Sequence, residues 1–449
     1  MSHSGGFALI VGGGIGGLAA ARALQGIGWD VLVCEQSPDL RELGAGLSLW
    51  TNAVKALRAI GLGEEIAAIG APIESAELRT WRGRLTGVLP VGAIGRRLGA
   101  PSLGVHRADL LALLAGSLPA DTVRLDAQCV GFLEDATGVT AHFADGSTQR
   151  ADLLIGADGL HSTVRTRLFG PGRPRYAGYT CWRGLAAIPA GLVAPDVAFE
   201  MVGPGRRFGL MPLVTGPLPS GPRPGPSGPP TAVTRAELPV DSPSPRRRAG
   251  TSGARGAGVR SWGAACPVRR VYWFATLRAP AGGRDVPGGR RDAVLDLFQG
   301  WASPVREILM ATAETDILRH DIFDRPPLWR WSGDRVTLLG DAAHSTTPTQ
   351  GQGACLAIED AVVLARCLAA GGNLPAALRA YEAARLQRTA LIINQSRVFG
   401  WIGHWESPRA ARLRDILLRL ATPTFITWQL ERTLAYDTGL PLLDRPASG

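Results

Sequence analysis

Gly12, Gly14 and Gly17 stand in GxGxxG register, and an acid, Glu35, follows about 20 residues on. Glycines at this spacing let a backbone turn tightly and approach a pyrophosphate at a helix N-terminus, where unpaired N–H groups and the helix dipole favour anions. Glu35 can accept both hydroxyls of a ribose. A tight turn in any glycine-rich protein is the plain alternative. The run lies between an apolar strand, FALIVGGG, and a helix, GGLAAARALQGIG, and that placement favours a dinucleotide site. Two further turns repeat the arrangement. DLLIGADGLHSTVR, residues 152–165, passes from a strand through Asp158-Gly159 into a helix carrying Ser162 and Arg165. GDAAHSTTPTQGQG, residues 340–353, follows the apolar run RVTLL and leads into the hydrophobic helix ACLAIEDAVVLARCLA. One such acid reads as a helix cap, but three turns in this order are not explained by capping alone.

These turns need elements to hold them, and the chain has the means. It is 449 residues long with 45% hydrophobic content, enough for a substantial core and two closely connected domains. With DVLVCEQ as a second strand, the N-terminal region is a βαβ unit. No run of about 18 apolar residues appears and the N-terminus lacks a signal-peptide pattern, so a cytoplasmic chain without stable membrane insertion is expected. Six cysteines show no CxxC or CxxH spacing, which predicts neither zinc nor a disulfide framework, and no metal site is expected. The net charge of +10 rests on arginine, Lys55 being the one lysine. Basic residues are not interleaved with aromatics, which argues against nucleic acid as a partner.

GxGxxG, the DG pair Asp158-Gly159 and the GD pair Gly340-Asp341, in this order, resemble the single-component flavoprotein aromatic hydroxylases and their epoxidase relatives. The hydroxybenzoate, salicylate and urate hydroxylases and zeaxanthin epoxidase belong to that group. The resemblance spans nearly the whole chain. It implies an α/β fold: a Rossmann-like FAD-binding domain, an inserted mainly β substrate domain and C-terminal helices. It also implies FAD, NAD(P)H and O₂, with oxygen added at the flavin C4a to give a hydroperoxide. The distal oxygen of that species would hydroxylate an electron-rich aromatic small molecule or epoxidise an alkene. Asp341 would then bond the ribityl chain, and Pro348 to Gly353 would lie along the isoalloxazine ring. Backbone N–H groups of Gly351, Gln352 and Gly353 would stabilise negative charge on the reduced ring. Glycine loop contacts extend to Ile15, and the ribose end to Gln36. Arg107, in GVHRADLLALL, matches an arginine reaching the ribityl or phosphate region. Arg41 and Gly46, in RELGAGLSLW, match a segment near adenosine and the flavin ring, with Trp50 where relatives often carry proline. Val130 would touch adenine through its backbone. His344 reads as a structural hydrogen-bonding residue.

The expected division is an FAD-binding domain in three parts (1–73, 105–173 and 321–374), a substrate domain in two (74–104 and 174–320) and a helical region over 375–449. AELRTW, VAFEMV, RRFGLMPL and RVYWFATL read as strands of the substrate sheet, and GYTCWRGL resembles the strand that crosses near the flavin. Arg183, Arg207 and Tyr272 match substrate-orienting positions, an ordinary packing role being the alternative for each. Residues 214–269 hold eight arginines and 11 of the 33 prolines. The tract reads as a disordered insertion or aberrant coding sequence between two strands that would otherwise pair. A non-catalytic flavin-binding relic is a second reading. A flavin-dependent halogenase is a third, although WRWSGD at 329–334 lacks the Ile-Pro of the halogenase motif. The apolar stripes of the C-terminal helices, with Trp401, Trp405 and Trp428, suggest a membrane-surface or partner contact, but packing against the core or a dimer seam is the commoner explanation, and a monomer or homodimer is expected.

Overall fold

Five parallel strands carry all three turns. The computed structural model describes residues 5–40, 46–214, 268–285, 288–439 and 442. Its five-stranded sheet runs Val336–Leu338, Leu153–Gly156, Phe7–Val11, Asp30–Cys34, Val123–Arg124, with every neighbouring pair parallel. Strands covered on both faces should be continuously apolar. Ala8, Leu9, Ile10, Leu153, Leu154 and Ile155 are accordingly fully buried. The consequence is positional: the GxGxxG, DG and GD turns follow three adjacent strands and leave the sheet at the same, C-terminal edge. In open α/β sheets that edge is where ligands bind.

The helix Gly353–Ala369 closes one face, packed between the helices Ile15–Gly26 and Leu374–Gly403. Its residues Cys355 to Ala365 are buried without a break, as expected of a helix apolar nearly all round. Glu359 and Asp360 lie inside that run, and both are paired with arginines.

A seven-stranded sheet stands over the cleft. Its order is Leu318–Asp324, Arg175–Pro189, Val268–Arg278, Arg206–Pro212, Val197–Gly203, Ser75–Thr80, Leu85–Leu89. The first strand reaches Asp324, four residues past the boundary drawn at 320 from the sequence. One face buries Trp182, Phe208, Leu210, Val271 and Trp273 against Val294, Ile308 and Leu309 of two short helices. Alternation along a strand sends the intervening residues to the other face. Directly paired residues share a face, so Arg183↔Phe274, Arg207↔Thr276 and Met211↔Tyr272 place Arg183, Arg207 and Tyr272 together on the side away from that core. The strands Arg206–Pro212 and Val268–Arg278 that flank the Pro/Arg tract are hydrogen-bonded neighbours, and residues 215–267 lie outside the described residues.

Among the described residues no helix is long and apolar enough to cross a membrane, and no cluster of His, Cys, Asp or Glu could hold a metal ion.

Candidate active site

The first turn is built by close backbone packing. Gly12 has φ +110°, a conformation that L side chains rarely adopt, and a Cβ there would fall 2.4 Å from the Ala157 carbonyl oxygen. A Cβ on Gly17 would fall 2.0 Å from the Gly12 oxygen. Gly14 differs, because a Cβ there would meet nothing within 4 Å. Open space at the N-cap of the helix Ile15–Gly26 is where a pyrophosphate would lie. Ile15 itself is buried beneath it. Glu35 accepts from the Gly13 amide (2.6 Å) and the Ser37 amide (2.9 Å), which hold its carboxylate beside the glycine turn. Gln36 is exposed next to it, and Val130 is 47% exposed on the strand Cys129–Glu134. Arg41 lies outside the described residues.

Asp158 serves two directions at once. One carboxylate oxygen accepts from the Thr163 and Val164 amides at 2.7 and 3.2 Å, the cap that a plain reading expects. The other, Oδ1, is buried with no hydrogen-bond partner among the described residues. Burial pushes the carboxyl pKa up, opposed by Ser162 and by the backbone amides. A half-satisfied buried carboxylate is costly unless a ligand completes it. Arg165 donates to the carbonyls of Ala342 and Ala343 (3.1 and 3.3 Å), tying this turn to the GD turn. We expect Asp158→Ala to lose about 1 kcal/mol of stability through the cap and also to slow flavin reduction by NAD(P)H. Unchanged reduction and FAD affinity in that variant would leave Asp158 as a helix cap alone.

Gly340 has φ +62° and donates its amide to Asp360 at 3.0 Å. Asp341, next in the chain, is solvent-accessible although protein crowds around it. It therefore sits on the floor of a cleft, where crowding raises its carboxyl pKa and His344 and Arg107 oppose the rise. His344 is buried, and its Nε2 lies 2.5 Å from Asp360 Oδ2, a structural pairing as read from the sequence. Arg107 opens the helix Arg107–Gly116 and is enclosed rather than solvated: burial lowers its pKa, with Asp341, Arg183 and Tyr272 as its ionisable neighbours.

Pro348 to Gly353 is clamped from the side. Trp50 Nε1 donates to the Gln350 carbonyl (3.0 Å), and Asn52 Nδ2 donates to Gln352 Oε1 (3.0 Å) and Glu359 Oε1 (2.6 Å). Gly351 has φ +63°, and its Cβ would meet Ser48 Oγ at 2.4 Å. The Gly351 amide donates to the Pro348 carbonyl at 3.0 Å, closing a short helical turn, so any anion there would share it. The Gln352 and Gly353 amides, at the N-terminus of Gly353–Ala369, remain for such an anion.

Across the cleft, Gly46 lies directly on Tyr272; a Cβ there would come within 2.4 Å of the tyrosine Cβ. Tyr272 is buried, its pKa pushed up to about 12, with Arg183 and Arg107 opposing the shift. Arg183 and Arg107 thus face one phenol at the junction of the two sheets. Arg207 is elsewhere on the same face. It pairs with Glu200 at 2.5 Å, and its partner position Thr276 is four residues, about 13 Å, from Tyr272 along the strand.

Sequence reasoning assigned nothing to Asn52, Arg165 or Tyr179. The Tyr179 hydroxyl lies 3.4 Å from Thr349 Oγ1, and its ring stacks on His404 with centroids 4.2 Å apart. Burial and Arg207 push the His404 pKa down to about 3, so the ring is neutral. With Nδ1–H donating to the Gly400 carbonyl, Nε2 accepts from the Thr276 hydroxyl. Tyr179 lies inside the quoted GYTCWRGL, but its partners come from residues about 170 and 225 positions later, beyond any local signal.

These features fit a flavin dinucleotide: an orphaned buried acceptor at Asp158, open space at Gly14, an accessible acid at Asp341 and two helix N-termini aimed into one cleft. The family profile described as an FAD binding domain matches residues 7–176 and 249–396, and the chain belongs to that family. It is an FAD-dependent monooxygenase. It is 36% identical over 428 residues to the aurachin C monooxygenase/isomerase of Stigmatella aurantiaca, covering 95% of this chain and 97% of that protein. It is 33% identical to an FAD-dependent urate hydroxylase of Klebsiella pneumoniae, covering 87% and 88%. The solved structure of Klebsiella pneumoniae HpxO complexed with FAD and uric acid superposes with a TM-score of 0.80 at 31% identity, covering 96% of this chain and 98% of that one. These relatives give no support to the non-catalytic or halogenase readings.

Proposed function

We propose that the chain uses NAD(P)H and O₂ to insert one oxygen atom into an electron-rich aromatic or alkene small molecule, as a cytoplasmic enzyme. The observation that carries this reading is the cleft itself. Three acid-bearing or glycine-bearing turns of the parallel sheet face a second sheet that presents Arg183 and Tyr272 across a short gap. Bound FAD supplies the chemistry, accepting hydride equivalents and activating oxygen.

The protein supplies placement. Gly12, Gly14, Gly17 and Ile15 hold the pyrophosphate, while Glu35 and Gln36 hold the adenosine ribose. Val130 flanks the adenine side, Arg41 is assigned to the adenosine by resemblance alone, and Asp158, Asp341 and Arg107 hold the ribityl region. Gly46, Pro348, Gln352 and Gly353 border the ring, the last two through amides that favour negative charge. Arg183 and Tyr272 orient the substrate. Arg207, on the same face of the sheet and paired with Glu200, is the third substrate-orienting residue of this reading. The covering sheet excludes water, which would otherwise divert reducing equivalents to hydrogen peroxide. On this reading 1–73, 105–173 and 321–374 form the FAD-binding domain, 74–104 and 174–320 the substrate domain, and 375–449 the helical cover.

Purified protein should be yellow and should oxidise NAD(P)H faster when a phenolic ligand is added, with one oxygen atom gained by the ligand. A ligand screen that accelerates neither NADH nor NADPH oxidation, with flavin fully bound, would contradict the proposal.

A further inference from the structure

The helix Pro408–Ala421 reverses the usual polarity of a surface helix. Leu413, Ile416, Leu417 and Leu420 are 52%, 57%, 50% and 72% exposed. Their spacing of three, four and seven residues puts them on one face, and that face looks outward. The inward side carries Ala411 and Arg414, both buried. Arg414 donates to the carbonyls of Gly203 and Gly403 at 3.1 and 3.3 Å, so the helix is fixed in this orientation by a committed cation. Further along, Phe425 and Trp428 are 57% and 54% exposed with rings 6.2 Å apart, extending the apolar surface. Of the readings the sequence offered for this stripe, core packing is therefore corrected, and a dimer seam or a membrane-surface contact is left. An exposed apolar patch of this kind marks an interaction surface.

Charge identifies what it meets. Arg409, Arg412, Arg419 and Arg432 are exposed around the apolar residues. The one acid between residues 407 and 430 is Asp415, and it is paired with Arg414 at 2.8 Å. A second copy docked through a two-fold axis would bring arginines against arginines, and the flanking acids Glu406 and Glu431 are already paired with Arg278 and Arg97. A surface of lipid phosphates offers both the apolar layer and the anions, and a helix with leucines, aromatics and flanking arginines lies naturally at that boundary. No described helix crosses a bilayer, so the association is with its surface.

We propose that the face formed by Pro408–Ala421 and continued to Trp428 docks on an anionic lipid bilayer. Leu413, Ile416, Leu417, Leu420, Phe425 and Trp428 would enter the headgroup boundary, and the arginines would pair with lipid phosphates.

The test is co-sedimentation of the flavin-loaded enzyme with vesicles of phosphatidylglycerol and phosphatidylcholine, and with vesicles of phosphatidylcholine alone. Binding is expected to the mixed vesicles and to weaken in high salt. Arg412→Gln and Arg419→Gln should each lower the partition about fivefold. Leu417→Ser combined with Leu420→Ser should abolish it, with flavin content and thermal midpoint unchanged because both side chains are exposed. Absence of binding, or binding that the serine pair leaves intact, overturns the proposal. So does a dimer, seen by sedimentation velocity without lipid, that the serine pair dissociates.

Discussion

Asp341→Ala is expected to purify largely without flavin. The carboxylate is accessible on the cleft floor, and protein crowds it on its other sides. A hydrogen bond to a charged group contributes about 1.5–3 kcal/mol, so FAD affinity should fall roughly ten- to hundredfold. Because the side chain is solvent-accessible, the fold should survive its truncation. Asp341→Asn keeps an acceptor without the charge and should bind FAD with intermediate affinity. Flavin titration of the stripped proteins separates these cases. Full flavin occupancy and normal turnover in Asp341→Ala would remove Asp341 from the site.

The largest stability loss is expected at Asp360. Its carboxylate accepts from the Gly340 amide (3.0 Å) and from Arg385 Nε (2.7 Å), and it pairs with His344, all with essentially no solvent contact. Removing one partner of a buried ion pair costs about 3–5 kcal/mol; Arg385 keeps Glu359 at 2.7 Å, but His344 and the Gly340 amide lose their buried acceptor, so a loss towards the lower end of that range is expected. Asp360→Ala should lower the thermal midpoint sharply. It should also reduce flavin binding, since Gly340 and hence Asp341 lose their anchor. Burial alone would raise the Asp360 pKa, but His344 and Arg385 override it and hold the value down at about 2, against 3.8 ordinarily. A carboxyl depressed on folding contributes its stability in full above the unfolded value. That contribution is lost as pH falls from about 4 towards 2. Unfolding measured across that window should show the slope in the native protein and a smaller one in Asp360→Asn. Equal slopes would mean that Asp360 is not the group responsible.

The three turns were legible in the chain because their requirements are local. A strand, a glycine at positive φ such as Gly12 or Gly340, and a helix N-terminus are contiguous residues, and steric exclusion of side chains at positive φ marks the glycines. Apolar periodicity likewise disclosed the parallel core and the buried helix at 353–369, since burial on all sides leaves no polar face. Tertiary structure alone decided which side chains meet. Asp360 finds Arg385 one helix later, Gly46 finds Tyr272 across two sheets, and Tyr179 finds His404 at the far end of the chain. Arg183, Arg207 and Tyr272 share a face because strand register puts them there, yet Arg207 is drawn to Glu200 on the neighbouring strand. The leucine stripe at 413–420 shows the limit most directly. Helical spacing places those residues on one face, but whether that face meets protein or solvent depends on which side Arg414 is anchored, and its carbonyl partners lie in other segments of the chain.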